Sequence, residues 1–157
     1  MHTFTHALAP STLLELSYSW RLVVAVVLGV VMGVERSIAG KHAGLRTYGL
    51  VSLGSCAFTL VGVIAAQQLS MFSGINPFQI AGYVVLGIGF IGSGLAMTGN
   101  GQPSELTTAT GIWVAASVGM LCGFGLYVLA FAVTAISLIV LVLLASLERI
   151  LRAHNGK

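Results

Sequence analysis

The stretch GVERSIAGKHAGLRTYG, residues 33–49, gathers charge in a chain that otherwise has little of it. It holds Glu35, Arg36, Lys41 and Arg46, whereas the whole chain has seven Lys or Arg and four Asp or Glu. A carboxylate between two guanidinium groups forms charge-assisted hydrogen bonds and could bind an ion or a partner. Two interpretations stay open: a cluster that sets topology and caps a helix, or a polar site. Acidic residues contribute little to topology, so the orientation of the chain does not require Glu35.

A second polar stretch, PSELTTATGIW, begins with a cap-like Ser104 and the acidic Glu105, followed by two threonines. An acidic residue is favourable in the first turn of a helix, and threonine hydroxyls can bond the backbone or a neighbouring helix. We expect both stretches to meet as one cytoplasm-facing polar cluster. Its members are Glu35, Arg36, Arg46, Thr47, Glu105, Thr107 and Thr108.

Other chemistry is poorly represented. The four His lie outside the apolar runs and the chain has no Asp, so no metal cluster or activated nucleophile is apparent. Cys56 and Cys122 lie within apolar runs and are interpreted as packing residues. Mg²⁺ prefers oxygen ligands, and only Glu35 and Glu105 could supply carboxylates near one place. We expect no enzyme activity, no cofactor and no bound metal.

The composition is that of an integral membrane protein. Of 157 residues, 57% are hydrophobic and 7% are charged, and the mean hydropathy is +0.99. Soluble domains carry roughly 25% charged residues, so this chain cannot cover a surface in water. The net charge of +3 comes from residues at the ends of apolar runs, which form no stripe for nucleic acid.

Five apolar runs are long enough to be considered as membrane-spanning helices, for which about 20 residues are typical. The sequence therefore predicts an all-α bundle in a single membrane domain, residues 1–157, with a short tail. The predicted helices are about 13–34, 47–69, 78–98, 106–122 and 124–147, with the tail at 148–157.

Orientation follows from the basic residues, which favour the cytoplasmic side. The first loop holds Arg36, Lys41 and Arg46, and further basic residues lie in the tail. With five spans these two segments share a side, so the N-terminus is expected outside and the C-terminus in the cytoplasm. The N-terminal residues have neither Lys nor Arg before the apolar run, so we expect no cleaved signal. The basic residues of the tail are Arg149, Arg152 and Lys157.

Small residues mark the helix contacts. Gly111, Ala115, Gly119 and Gly123 recur at every fourth position, which predicts a close contact with another helix, within the protomer or across a homodimer. The third run is also rich in glycine, which indicates close packing or a broken helix that lines a cavity. The other residues assigned to helix packing are Gly29, Gly33, Gly87, Gly89, Gly92, Gly94 and Trp113.

A weak internal repeat relates the first two helices to the next two. LGVVMG…GLRTYGLV from Leu28 is similar to LGIGFIG…ELTTATGI from Leu86. Two helices separate the copies, so they would share one orientation and be related by an axis along the membrane normal. A coincidence of low-complexity sequence is the alternative.

Three separated motifs resemble those of the MgtC/SapB family of bacterial inner-membrane proteins. They are GVERSIAGKHAGLRTYGLVSLGSCAF, GIGFIGSG and LTTATGIWVAASVGMLCGFGLY, which cover about residues 22–127 in the family's order. Many members have Gly where this chain has Glu105, and longer members carry a soluble C-terminal domain that we expect to be absent here. The matched positions are Glu35, Arg36, Arg46, Thr47, Gly92, Gly94, Thr107, Thr108 and Trp113.

The resemblance implies a multi-pass protein of the bacterial inner membrane. It also implies a link to magnesium limitation, to virulence through survival in host cells and, in the MgtC branch, to restraint of the ATP synthase. No enzymatic chemistry is established for the family.

Two function classes remain, because the membrane-enzyme class lacks a catalytic constellation. A regulatory protein would bind another integral membrane protein, and a transporter or channel would pass Mg²⁺ or a neutral solute. Intramembrane charges usually mark transport paths, and the middle of the runs has none. We therefore favour a regulatory membrane protein that assembles as a homo-oligomer, preferably a dimer.

Overall fold

The computed structural model describes the backbone of residues 8–68, 76–98 and 103–155. Side chains are described for residues 15–67, 76, 79–97, 106–148 and 150–151. The described chain is all-helical, and its five helices are each long and apolar enough to cross a membrane. The expected all-α architecture with five spans is therefore confirmed. The helices are α1 (Leu8–Ile38), α2 (Leu45–Gln68), α3 (Pro77–Thr98), α4 (Pro103–Gly123) and α5 (Tyr127–Asn155).

The helix bounds differ from the predicted ones mainly at the outer helices. α1 starts at Leu8 and α5 continues to Asn155, so most of the segment predicted as a tail is helical. Hydropathy detects only the part of a helix that is apolar enough for lipid. The sequence LERILRAHN has strong helix formers and an acidic and a basic residue four positions apart, which favours continuation of the helix.

Two helices end in the same glycine-based cap. The Gly40 N–H donates to the Ser37 carbonyl and the Lys41 N–H to the Arg36 carbonyl, and Gly40 has a φ of 67°. α4 ends in the same way, with Gly125 at a φ of 77°. This pattern is the Schellman motif, in which a left-handed glycine lets the chain turn and bonds the last carbonyls. It allows α1 to connect to α2, and α4 to α5, through short turns.

The bundle is built around the contact between α2 and α4. α1 packs on both of them, α3 packs on both of them from another side, and α5 contacts α4 and α1. Half of the α4 span (50%) is buried within the protomer, whereas 11% of the α3 span is. The core therefore lies among α1, α2 and α4, and α3 forms an outer wall.

α3 is one continuous helix through its glycines. The interpretation of this segment as a broken helix is therefore wrong. The i to i+4 backbone bonds survive because glycine lowers helix stability by only about 1 kcal/mol, and lipid offers no alternative partner for a freed backbone group.

Candidate functional site

The last turn of α1 carries a buried ion pair between consecutive residues. Arg36 Nη2 lies 2.6 Å from Glu35 Oε1, and Arg36 Nε donates to Glu35 Oε2. The Arg36 side chain is 4% exposed and the Glu35 side chain 17%. Two parallel N–H to carboxylate bonds form the bidentate arrangement that arginine favours. The pair thus neutralises Arg36 inside the bundle and leaves an edge of the carboxylate accessible.

Tyr48, in the first turn of α2, joins α2 to α4. Its side chain is fully buried, and its hydroxyl donates to the Thr108 carbonyl at 3.2 Å. Gly111 makes room for it, because a Cβ added there would lie 2.2 Å from the Tyr48 hydroxyl oxygen. Tyr48 therefore connects the first turn of α2 to the first turns of α4.

The loop between α1 and α2 is held closely. The Leu45 N–H, at the start of α2, donates to the Ser37 hydroxyl oxygen at 3.3 Å. A Cβ on Gly44 would approach that oxygen to 2.2 Å, so a larger residue there would displace the Ser37 hydroxyl from this bond. Ser37 thus caps the N-terminus of α2 from the end of α1, and the cap fixes the position of the loop beside the ion pair.

The structure brings together part of the predicted polar cluster. Glu35 pairs with Arg36 and not with Arg46, which is exposed and makes no ion pair among the described residues. Thr108 is buried and accepts the Tyr48 bond, whereas Thr107 is exposed.

Two further members of the predicted polar cluster are Thr47 and Glu105. Thr47 is half-buried at the start of α2. Glu105 belongs to α4, and its side chain lies outside the described residues, as do those of the basic residues predicted for the tail. The centre of the cluster is thus the Glu35–Arg36 pair together with Tyr48 and Thr108.

Polar side chains in the middle of the bundle bond to backbone carbonyls. The Ser52 hydroxyl donates to the Ala25 carbonyl at 2.7 Å and so links α2 to α1. Thr59 and Thr134 donate to carbonyls four residues earlier in their own helices. Among the described residues no group of three His, Cys, Asp or Glu could hold a metal ion. Each of these hydroxyls therefore has a hydrogen-bond partner within the protein, as buried polar groups in a membrane protein require.

The small-residue ridge of α4 packs against α2 within the protomer. A Cβ on Gly119 would lie 2.1 Å from the Ser52 carbonyl oxygen, and one on Gly123 would lie 2.6 Å from Thr59 Cβ. Ala115, between them, is fully buried. Gly111 holds Tyr48, as described above. The two backbones thus approach through positions that admit no larger side chain.

α1 approaches α2 through the shorter ridge. A Cβ on Gly29 would lie 2.6 Å from the Tyr48 carbonyl oxygen, and one on Gly33 would lie 2.6 Å from Leu45 Cα. The crossing of α1 and α2 is therefore as close as that of α2 and α4.

The glycines of α3 behave differently. No atom lies within 4 Å of a Cβ added at Gly87, Gly89 or Gly94, and Gly92 makes only an ordinary contact with Ala109 Cβ at 3.8 Å. Trp113 of α4 is 50% exposed. Close packing of Gly87, Gly89 and Gly94 is thus not seen within this protomer and stays a prediction for contacts with another chain. The reason is that α3 lies at the edge of the bundle and turns most of its surface outward.

Arg21, for which the sequence predicted no role, bonds to the C-terminus of α4 at the opposite end of the bundle. Arg21 Nη1 donates to the Gly123 carbonyl at 2.8 Å, and the guanidinium carbon lies 5.4 Å from the centre of the Tyr18 ring. The Tyr18 hydroxyl in turn donates to Gln67 Oε1 at 3.0 Å. A cation at the C-terminus of α4 is favourable. The feature of the sequence that could have identified this contact is the position of Arg21, alone within an apolar run.

Comparison with known proteins gives consistent relatives. The family model described as "MgtC family" matches residues 22–150. YhiD from Escherichia coli K12 is 42% identical over 123 residues, which are 77% of this chain and 57% of YhiD. SrpB from Synechococcus elongatus is 37% identical over 145 residues, 86% of this chain and 79% of SrpB. MgtC from Salmonella typhimurium LT2 is 36% identical over 132 residues, 84% of this chain and 54% of that protein.

The chain spans little more than half the length of YhiD and MgtC. No solved structure matches it. The family model nevertheless includes the Glu35–Arg36 pair, both close helix crossings and most of α5. This multi-pass membrane protein therefore belongs to the MgtC family.

Proposed function

We propose that this chain is a non-enzymatic regulator in magnesium homeostasis, resident in the bacterial inner membrane, which acts by binding another integral membrane protein. The observation that carries this proposal is the Glu35–Arg36 pair, held rigidly at the end of a closely packed bundle. Its surroundings are built to present charge, because the carboxylate is partly accessible and Arg46 is exposed on the neighbouring helix. A partner of complementary charge would bind at this end of the bundle.

The packing of the core supports binding over conduction. The backbones of α2 and α4 meet at Gly119, which leaves no space between these two helices at that level. Charged residues inside membrane spans usually mark transport paths. Among the described residues the charged residue that is buried is Arg36. It lies at the end of a helix and not in the middle of a span.

Transport is the second candidate, and the name of a relative favours it. YhiD is named as a candidate magnesium transporter, and the accessible oxygen of Glu35 could contribute to binding a hydrated cation. In this case the Glu35 end would be the mouth of a path that opens in another conformation.

The discriminating experiment has two parts. The protein is purified from gently solubilised native membranes to identify stable membrane partners, and is then reconstituted alone in liposomes that contain a Mg²⁺ indicator. Regulation predicts a reproducible partner and no flux above protein-free liposomes. Robust flux through the isolated chain would overturn the proposal in favour of transport.

Glu35→Gln tests the site within that experiment. It keeps the size of the side chain and removes the charge, so we expect loss of partner binding and of growth in low magnesium while the protein still inserts. Glu148→Gln is the matched control, because it removes an exposed carboxylate from α5. If Glu35→Gln retains normal partner binding and normal growth, the ion pair has no functional part.

A further inference from the structure

The helix pairings of the first four helices have two-fold symmetry. Exchanging α1 with α3 and α2 with α4 converts the α1–α2 contact into the α3–α4 contact, and the α1–α4 contact into the α2–α3 contact. The α2–α4 contact is converted into itself, and α1 does not contact α3 in the described chain. The similar segments that start at Leu28 and Leu86 are exchanged by the same operation. The four helices thus pair as two similar helical hairpins, the pattern expected of parallel repeats.

α5 breaks this symmetry. It packs on α4 and α1. When α1 is exchanged with α3 and α2 with α4, the equivalent surface is the one formed by α2 and α3. No fifth helix of the described chain contacts α2 and α3 there. A groove of about 660 Å³ lies at this place, with Leu50, Phe58, Ile80, Tyr83, Gly87 and Ile91 among its lining residues.

The groove is shaped to accept a helix. Gly54 on α2 and Gly87 on α3 both line it, and a Cβ added at either would have no neighbour within 4 Å. Small residues at an outward-facing position are typical of helix contacts in membranes, because they let backbones approach. The groove's tyrosine hydroxyl, on Tyr83, already accepts a bond from Gln79 at 3.1 Å. The hydroxyl oxygen could therefore keep this bond when an apolar helix enters the groove.

We propose that α3 of a second copy of this chain occupies the groove, so that two protomers associate about an axis along the membrane normal. Both copies have the same orientation in the membrane. The axis then brings the groove of each copy, with the α3 beside it, against the groove and α3 of the other copy. α3 suits this location, since it has no charged residue and the lowest buried fraction of the five spans, 11%. α5 of the second copy cannot fill the groove in a symmetric dimer, because it lies on the opposite side of its own bundle from the groove.

This inference is independent of the regulatory role, and disulfide trapping in native membranes tests it. Tyr83→Cys places a thiol at the groove, and Phe131→Cys is its control on α5. Each of these residues follows the start of its span by four positions and is more than half exposed. The native Cys56 and Cys122 are buried and can be replaced by Ala in both variants. We expect a disulfide-linked dimer from Tyr83→Cys and little from Phe131→Cys.

Filling the groove gives the second test. Gly87→Leu and Gly89→Leu both add a side chain where the protomer leaves space, so neither should impair folding, but only Gly87 lines the groove. Gly87→Leu should lower the Tyr83→Cys dimer about tenfold or more, because overpacking a helix contact costs on the order of 1–3 kcal/mol. Gly89→Leu should leave the dimer unchanged.

Four results would overturn the proposal. Equal crosslinking at Tyr83→Cys and Phe131→Cys would indicate random collision, and equal effects of the two leucines would remove the groove from the contact. Crosslinking of Tyr83→Cys to a different protein, with no dimer, would assign the groove to another membrane protein. A monomer in lipid nanodiscs that resists trapping would leave the groove to lipid chains.

Discussion

Gly119→Ala should destabilise the bundle although it adds a single methyl group. The added Cβ would lie 2.1 Å from the Ser52 carbonyl oxygen and 2.9 Å from Ser52 Cα. Ordinary Cβ contacts begin near 3.4 Å, so α2 and α4 would have to separate by about 1 Å. The opposing atoms belong to the backbone and cannot rotate away. Ser52 is also bonded to the Ala25 carbonyl of α1, so its displacement disturbs a third helix.

The expected magnitude follows from two opposing terms. Overpacking a well-packed core costs typically 1–3 kcal/mol, and alanine is favoured over glycine in a helix by about 1 kcal/mol. Because the opposing atoms belong to the backbone, the overpacking cost should lie in the upper part of its range, which leaves a net loss of about 1–2 kcal/mol for Gly119→Ala. Gly119→Leu should lose more, since a branched chain cannot be accommodated between two backbones. Gly89→Ala is the control on α3, outside the groove: with no atom within 4 Å of its Cβ, it should be neutral or slightly stabilising.

The assay is the free energy of unfolding in mixed micelles, measured by denaturing-detergent titration and supported by thermal stability in lipid nanodiscs. Gly119→Ala should be less stable than both the parent chain and Gly89→Ala. If Gly119→Ala equals Gly89→Ala in stability, the close contact between α2 and α4 does not exist in the membrane.

Three other predictions concern topology and the two ends of the bundle. Reporter fusions at Asn76 and at the C-terminus should report opposite sides of the membrane, with the C-terminus cytoplasmic; the same side for both would contradict the expected orientation. Gly111→Ala should destabilise by about 1–2 kcal/mol through contact with the Tyr48 hydroxyl, and in the Tyr48→Phe background the cost should be smaller because that oxygen is gone; additive effects would contradict the contact. Arg21→Met should cost about 1–2 kcal/mol by removing the cation that bonds Gly123, with Arg21→Lys closer to the parent chain; equal losses for Met and Lys would show that charge is not the cause.

The sequence by itself determined the class of the protein and the number of its spans. Low charge and long apolar runs leave few alternatives, because a backbone in lipid must satisfy its own hydrogen bonds as a helix. The spacing of Gly111, Ala115, Gly119 and Gly123 also identified a packing face, since residues four apart share one side of a helix.

Patterns of small residues do not specify their partners. The same rule that selected the α4 ridge also selected Gly87, Gly89 and Gly94, which have open space beside them in the protomer. Whether a glycine meets another helix or the outside depends on where its helix lies in the bundle. That location is set by contacts between helices that are distant along the chain.

Only the tertiary structure decided how the polar groups are paired. The sequence allowed Glu35 to meet Arg46 or Arg36, and the fold chose Arg36 and left Arg46 exposed. It also placed Tyr48 on Thr108, 60 residues away, and Arg21 on Gly123, 102 residues away. Helix periodicity relates residues within one or two turns, whereas these bonds depend on how three helices cross. The crossings are in turn decided by where glycine lets the backbones approach.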